Sequence, residues 1–158
     1  MGGWDELEAG FIGNPNTKLD ERGRLKMPTE FKTFIEKKYG IGFNSFYITS
    51  QEGDTAEIYP MPEWVKRKTK ILRMPQSLEE RDMIMDADNL YGGKADMDPQ
   101  GRLLVPEELR AAAELSGEVK VYGAGQYLRV ISLEKLRQRV QAKKFLPQHK
   151  DTLKSYDV

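Results

Sequence analysis

The sequence predicts an α+β fold in which two similar β units, related by pseudo-two-fold symmetry, build one compact barrel-like module with flanking helices. The first observation behind this is a block that occurs twice. Residues 17–32 read TKLDERGRLKMPTEFK and residues 95–110 read ADMDPQGRLLVPEELR, at a constant offset of 78. From Leu19/Met97 to Lys32/Arg110, six of fourteen positions are identical: Asp20/Asp98, Gly23/Gly101, Arg24/Arg102, Leu25/Leu103, Pro28/Pro106 and Glu30/Glu108. Two copies are too few for a solenoid, so a duplicated unit folded into one pseudo-symmetric module is the simpler solution. The second observation is the local grammar of each copy: Asp, two variable residues, Gly-Arg, an alternating polar/apolar stretch, then Pro and apolar residues at helical spacing. The third is composition. A chain of 158 residues with 39% hydrophobic and 32% charged residues suits one compact domain or two small halves sharing a core.

Taken in order, residues 1–10 (MGGWDELEAG) form an acidic N-terminal extension. It lacks the basic-then-apolar order of a signal peptide. A first repeat is expected over 11–60, with strands near 11–19, 24–27, 45–49 and 56–59. Gly23 sits where a tight turn needs positive φ or close backbone approach. Arg24-Leu25-Lys26-Met27 alternates as a strand with one buried face does. Pro28 suits the first position of a helix carrying Phe31, Phe34 and Ile35 and ending at Gly40.

A helical connector follows over 61–88. Its first helix carries Trp64, Val65, Ile71 and Leu72, together with the basic run Lys66-Arg67-Lys68-Thr69-Lys70 and Arg73. Ser77-Leu78-Glu79-Glu80 has the pattern of a capping box and opens a second helix through about Asn89. The second repeat, 89–132, is expected to place strands near 93–97, 102–105, 119–122 and 127–131. Its helix carries Leu109, Ala112 and Ala113 and ends at Gly117. Gly123-Ala124-Gly125-Gln126 reads as a turn between its last two strands. Residues 133–158 form a C-terminal helix, with a Leu133, Leu136, Val140 stripe, and then a polar basic tail. Two readings of that tail stand open: a disordered end, or added nonspecific affinity for DNA.

The doubled D-x-x-G-R-L-x-x-P-x-x-[FL]-[KR] block resembles the MraZ family, two-copy members of the AbrB-like swapped-hairpin superfamily of bacterial DNA-binding proteins. Phe11-Ile12-Gly13 stands where that family opens with an aromatic-x-Gly. Tyr59-Pro60-Met61-Pro62-Glu63-Trp64 matches its Y-P-x-P-E-W junction, and Glu118-Val119 to Gly123 matches the stretch after its second helix. The resemblance spans Phe11 to Lys143; the residues before Phe11 depart from it. It implies that both β units are of the swapped-hairpin, AbrB-like kind. It further implies a ring-shaped homo-oligomer that regulates the division and cell-wall gene cluster by binding short promoter repeats.

The residues support a DNA partner independently. Formal net charge is zero, but the charge is unevenly placed. Residues 17–38 hold seven Lys/Arg against four acids, whereas the matching window 95–116 holds two Arg against five acids. Phosphate binding follows local positive charge rather than the chain total. Lys18, Asp20, Arg22, Arg24 and Lys26 occupy even positions, so an extended stretch sets them on one side of the ribbon, with Leu19, Leu25 and Met27 toward the core. The turn at Gly23 interrupts that phase. The second copy holds Asp96, Asp98, Gln100, Arg102 and Leu104 in the same slots, only one of them basic.

The DNA-binding candidates are therefore Lys18, Arg22, Arg24 and Lys26. Asp20, Gly23, Asp98, Gly101 and Arg102 are candidates for turn structure, with Asp–Arg pairs bracing both turns. Arg24 holds its turn, touches DNA, or does both; the family ties this arginine to DNA binding. The 66–70 run is either an accessory phosphate clamp or a solvated helix face. Pairing between subunits through the oppositely charged connector helices is a further open reading.

Other chemistry finds little footing. With no Cys there is no disulfide framework or thiolate metal site. His149, the only histidine, lies in the tail and supports no triad or metal cluster. Residues 123–126 lack the strand–loop–helix context and the Lys of a phosphate loop. No apolar run approaches the roughly 18 residues of a membrane helix. The expectation is a regulator without catalytic residues, metal or cofactor, cytoplasmic and nucleoid-associated. Its partners are double-stranded DNA and other copies of itself, with no membrane and no small-molecule substrate. The alternative from another class is an oligomeric protein-interaction scaffold with only incidental DNA contact.

Overall fold

Tight turns at Gly-Arg steps and helices that start just after prolines set the element order. The computed structural model describes residues 5–158; Met1 to Trp4, part of the expected extension, lie outside the described residues. A short helix α1 (Glu6–Ala9) precedes β1 (Asn16–Leu19), β2 (Arg24–Lys26) and α2 (Thr29–Tyr39). The hairpin β3 (Ser45–Thr49) and β4 (Ala56–Pro60) leads into α3 (Met61–Leu72) and α4 (Glu79–Tyr91). The pattern then repeats as β5 (Gly93–Asp96), β6 (Arg102–Leu104), α5 (Glu107–Ala113), β7 (Gly117–Gly123) and β8 (Leu128–Ser132). Helices α6 (Leu133–Ala142) and α7 (Pro147–Lys154) follow.

All eight strands belong to one antiparallel sheet in the order β5-β3-β4-β8-β7-β1-β2-β6. Its two edge strands are joined by their own tight turn, in which the Asp98 N–H donates to the Arg102 carbonyl at 3.0 Å. The sheet is thus a nearly closed barrel, which removes most of the exposed-edge problem.

The connectivity is exchanged between the repeats. The first Gly-Arg hairpin lies on the second repeat's strand, β1 on β7 with Lys18 opposite Glu118. The second lies on the first repeat's strand, β5 on β3 with Ala95 opposite Phe46. Each half therefore completes the other. Where the hairpins meet, β2 pairs with β6, and Leu25 stands opposite Leu103, its own counterpart 78 residues on. A strand paired with its own repeat about that residue lies on the pseudo-two-fold axis. The fold is the α+β, two-unit swapped-hairpin architecture expected.

Several local expectations are corrected. Pro28 and Pro106 stand one residue before N1, as N-caps with ψ of 141° and 139°; fixed φ suits either position, so composition alone does not separate them. Ser77 makes no capping box. The Leu78 N–H bonds the Pro75 carbonyl at 3.1 Å, and α4 starts at Glu79 with Leu78 as a cap that makes no side-chain bond. Helix α5 stops at Ala113, where Glu114 takes a left-handed φ of 53°, and Gly117 opens β7 instead. The first strand is shorter than 11–19. Phe11 bridges Gly125, and Gly13 and Pro15 carbonyls accept from Gly123 and Val121, but Pro15 cannot donate and regular pairing begins at Asn16. The tail is helical: α7 is exposed along its length, and His149 Nδ1 accepts the Leu146 N–H at 3.0 Å.

One apolar cluster fills the barrel. Leu19, Leu25, Met27, Ile48, Ile58, Leu103, Val105, Val119, Val121, Leu128 and Val130 join Phe31 and Ile35 of α2 and Leu109 of α5. Phe11 closes one end, edge-on to Phe31 at 5.6 Å. On the outside, α3 is anchored by Trp64 stacked on Tyr47 at 3.9 Å. The buried Asp88 of α4 accepts from Thr49 at 2.7 Å and from Arg67 at 3.0 Å, tying both connector helices to β3.

Candidate nucleic-acid interface

The two Gly-Arg turns are built identically. In the first, the Asp20 N–H donates to the Arg24 carbonyl at 2.9 Å and the Gly23 N–H to the Asp20 carbonyl at 3.0 Å. Asp20 Oδ1 accepts the backbone N–H groups of Arg22 and Arg24, both at 2.9 Å. Its Oδ2 accepts Arg24 Nε at 2.8 Å. In the second, Asp98 Oδ1 accepts the Gln100 and Arg102 N–H groups at 2.9 Å, and Oδ2 accepts Arg102 Nε at 3.0 Å. Gly23 and Gly101 have φ of +82° and +77°, a region that costs a residue with a Cβ about 1–2 kcal/mol. The backbone N–H groups of Arg24 and Arg102, followed by their guanidinium groups, hold the Asp20 and Asp98 carboxyls below the ordinary aspartate pKa.

Each turn therefore fixes an arginine. Arg24 spends Nε on Asp20, and its two Nη groups make no further hydrogen bond among the described residues. A guanidinium held at one edge presents the rest of its planar fork in a defined orientation.

Register then decides which cations stand together. Leu19 pairs with Leu25 across β1 and β2, so one step further sets Lys18 beside Lys26. Lys26 pairs with Arg102 across β2 and β6. All three neighbour buried leucines, which puts them on the outer side of the barrel. Lys18, Lys26 and Arg102 form a row across three strands, which are spaced about 4.8 Å apart. Arg24 lies in the adjacent row, opposite Leu104, and Arg22 is exposed at the turn tip. Lys26 Nζ donates to the Gln100 carbonyl.

The two copies are less separate than their charge totals suggest. Arg102 Nη1 is 3.8 Å from Asp20 Oδ2, so one carboxylate serves arginines from both turns. The Gly23 carbonyl accepts the Val105 N–H at 3.0 Å, and the Gly101 carbonyl accepts the Met27 N–H at 2.8 Å. Arg110, from α5, lays its guanidinium over Gly23. A Cβ there would sit 2.3 Å from Arg110 Cζ, while Arg110 Nε donates to the Val105 carbonyl at 2.9 Å. Sequence reading missed Arg110 because its proximity depends on the hairpin exchange. The only signal was its place opposite Lys32 in the doubled block.

The 66–70 run does not join this face as a unit. Arg67 turns inward to Asp88 and lies over the Trp64 and Tyr59 rings at 5.1 and 5.5 Å. Lys66 pairs with Glu63 at 3.4 Å. Among the described residues, no group of His, Cys, Asp or Glu is arranged to hold a metal ion, and no helix is long and apolar enough to cross a membrane.

The chain is similar in sequence to known proteins. A family model described as "MraZ protein, putative antitoxin-like" matches residues 93–154. The "Transcriptional regulator MraZ" of Acidobacterium capsulatum is 41% identical over 131 residues, covering 83% of this chain and 88% of that protein. The protein of the same name from Koribacter versatilis is 38% identical over 148 residues, covering 94% and 99%. That of an Acidovorax species is 30% identical over 117 residues, covering 74% and 78%.

Proposed function

The chain belongs to the MraZ family, and from that premise we propose that it is a transcription regulator that binds promoter repeats in double-stranded DNA as a ring-shaped homo-oligomer. The repeats belong to the division and cell-wall gene cluster. Lys18, Arg22 and Lys26 anchor phosphates, and Arg24 reaches a base edge. The observation that carries this reading is the fixed Arg24 fork beside a three-strand row of cations on the outer side of the barrel. Electrostatic contacts of that kind position a protein on the duplex, while a bidentate arginine–guanine contact discriminates by about 1–3 kcal/mol. Arg102 belongs to the same row, so it supports the face as well as its own turn.

Assembly matters because one protomer offers few cations. Linked protomers on successive repeats raise avidity by about 10²–10⁴ without new contacts. The test is a gel-shift titration of DNA from upstream of the protein's own coding region with wild type and Arg24→Ala. The variant is expected to keep its oligomeric mass and lose the shifted band. Wild-type binding by an intact Arg24→Ala oligomer would refute the assignment.

A further inference from the structure

A cavity of about 360 Å³ opens between the β3–β4 turn and the C-terminal end of α6, and every residue that lines it is polar or charged. That volume falls in the range of small-molecule sites, about 300–1,000 Å³, but such sites are mostly apolar. A wholly polar lining selects a charged, hydrophilic occupant. The walls are held by their own contacts. Arg139 Nη2 donates to Asp54 Oδ2 and to Thr55 Oγ1, both at 3.0 Å, which pins the turn to α6. Inside the turn the Gly53 N–H donates to Ser50 Oγ at 2.9 Å.

The two signs of charge come from different elements. On the helix side, Lys143 stands four residues after Arg139, one turn further along the same face. Lys143 makes no ion pair among the described residues. A lysine beside an arginine fork is a receptor for a carboxylate. On the sheet side stands Glu57 of β4, opposite Arg129 of β8. Its side chain is only 9% exposed, and its Oε2 is 3.9 Å from Arg129 Nε. Its Oε1 is buried with no hydrogen-bond donor among the described residues. Buried carboxylate oxygens are ordinarily hydrogen-bonded, so this one calls for a donor. Burial also pushes the Glu57 carboxyl above the ordinary glutamate pKa, against the pull of Arg67 and Arg129. A cationic donor would relieve both conditions. A bare anion would meet Glu57 unfavourably, and a bare cation would leave Lys143 unmatched.

We propose that this cavity binds a small zwitterion of the amino-acid or dipeptide class, its ammonium donating to Glu57 and its carboxylate accepting from Arg139 and Lys143. The site is separate from the DNA-binding candidates, since none of Lys18, Arg22, Arg24 and Lys26 lines it. It goes beyond the proposed function, and its failure would leave that reading as it stands.

Thermal unfolding of the full chain tests it, because a ligand that binds only the folded state raises the melting temperature. The probes are the free amino acids and L-alanyl-L-alanine, followed by the N-acetyl and C-amide derivatives of whichever stabilises most. At least one probe should stabilise wild type saturably, and blocking either of its ends should weaken binding about tenfold or more. Glu57→Gln should weaken it comparably. Lys143→Gln should weaken it less, because that side chain is exposed, and Lys150→Gln, outside the cavity, should not change it. Circular dichroism checks that each variant is folded; if Glu57→Gln is not, Lys143→Gln and the two blocked derivatives decide. A wild type that no probe stabilises would overturn the proposal. So would blocked derivatives, or cavity variants, that bind as tightly as the unblocked probe binds wild type.

Discussion

At the scale of single residues, the two aspartates decide what the arginines can do. Asp20 gathers two backbone N–H groups and one guanidinium Nε, so it both closes the turn and aims Arg24. Because its folded-state pKa lies below the ordinary aspartate value of 3.8, the stabilisation is fully present well above that value. It is lost as pH falls through the lowered folded-state value. Asp20→Asn should thus destabilise most at neutral pH. Its stability difference from wild type should shrink in denaturant titrations as pH falls through and below 3.8, and a difference independent of pH would contradict the clamp. Gly23→Ala adds both a left-handed strain and a collision with the Arg110 guanidinium. It should cost at least the ~1–2 kcal/mol of the backbone term, measured by chemical unfolding. Lys26→Ala should weaken DNA binding similarly for all sequences and flatten its log–log salt slope by about 1 for each protomer engaged.

At the scale of elements, the doubled hairpins were legible because each carries its own turn chemistry. Asp, Gly and Arg at fixed spacing specify the turn, and Leu25 and Leu103 mark the buried face. What no local pattern encodes is the partner. That β1 lies on β7, and β2 on β6, depends on which hairpin is exchanged, and this alone brings Arg102 beside Lys26 and Arg110 over Gly23. The same limit explains Arg67, which reads as one more cation in a basic run until tertiary packing turns it onto Asp88 and Trp64. Ser77 shows the opposite case, a local capping signal overridden by the turn after Pro75. Leu25 and Leu103 face each other on the pseudo-two-fold axis at full burial. Either one replaced by Ala should cost about 2–5 kcal/mol, with both repeats losing cooperativity together because each completes the other's sheet. Loss confined to one half in hydrogen exchange would argue against the exchanged architecture.

At the scale of the whole molecule, a chain of zero net charge segregates its charge by surface. Cations collect on the outer side of β1, β2 and β6, and acids line the exposed face of α4. Under the proposed function, that division lets one protomer turn its basic face toward DNA. The basic face is what DNA binding depends on in the proposed function. The most direct measurement is the salt dependence of binding between the full-length protein and its own upstream DNA, compared with a shuffled duplex of equal length. Three or four phosphate contacts per protomer predict a log–log slope of about −3 to −4 for each protomer engaged, with the upstream sequence bound more tightly at every salt concentration. A flat slope, or equal affinity for both duplexes, would contradict it.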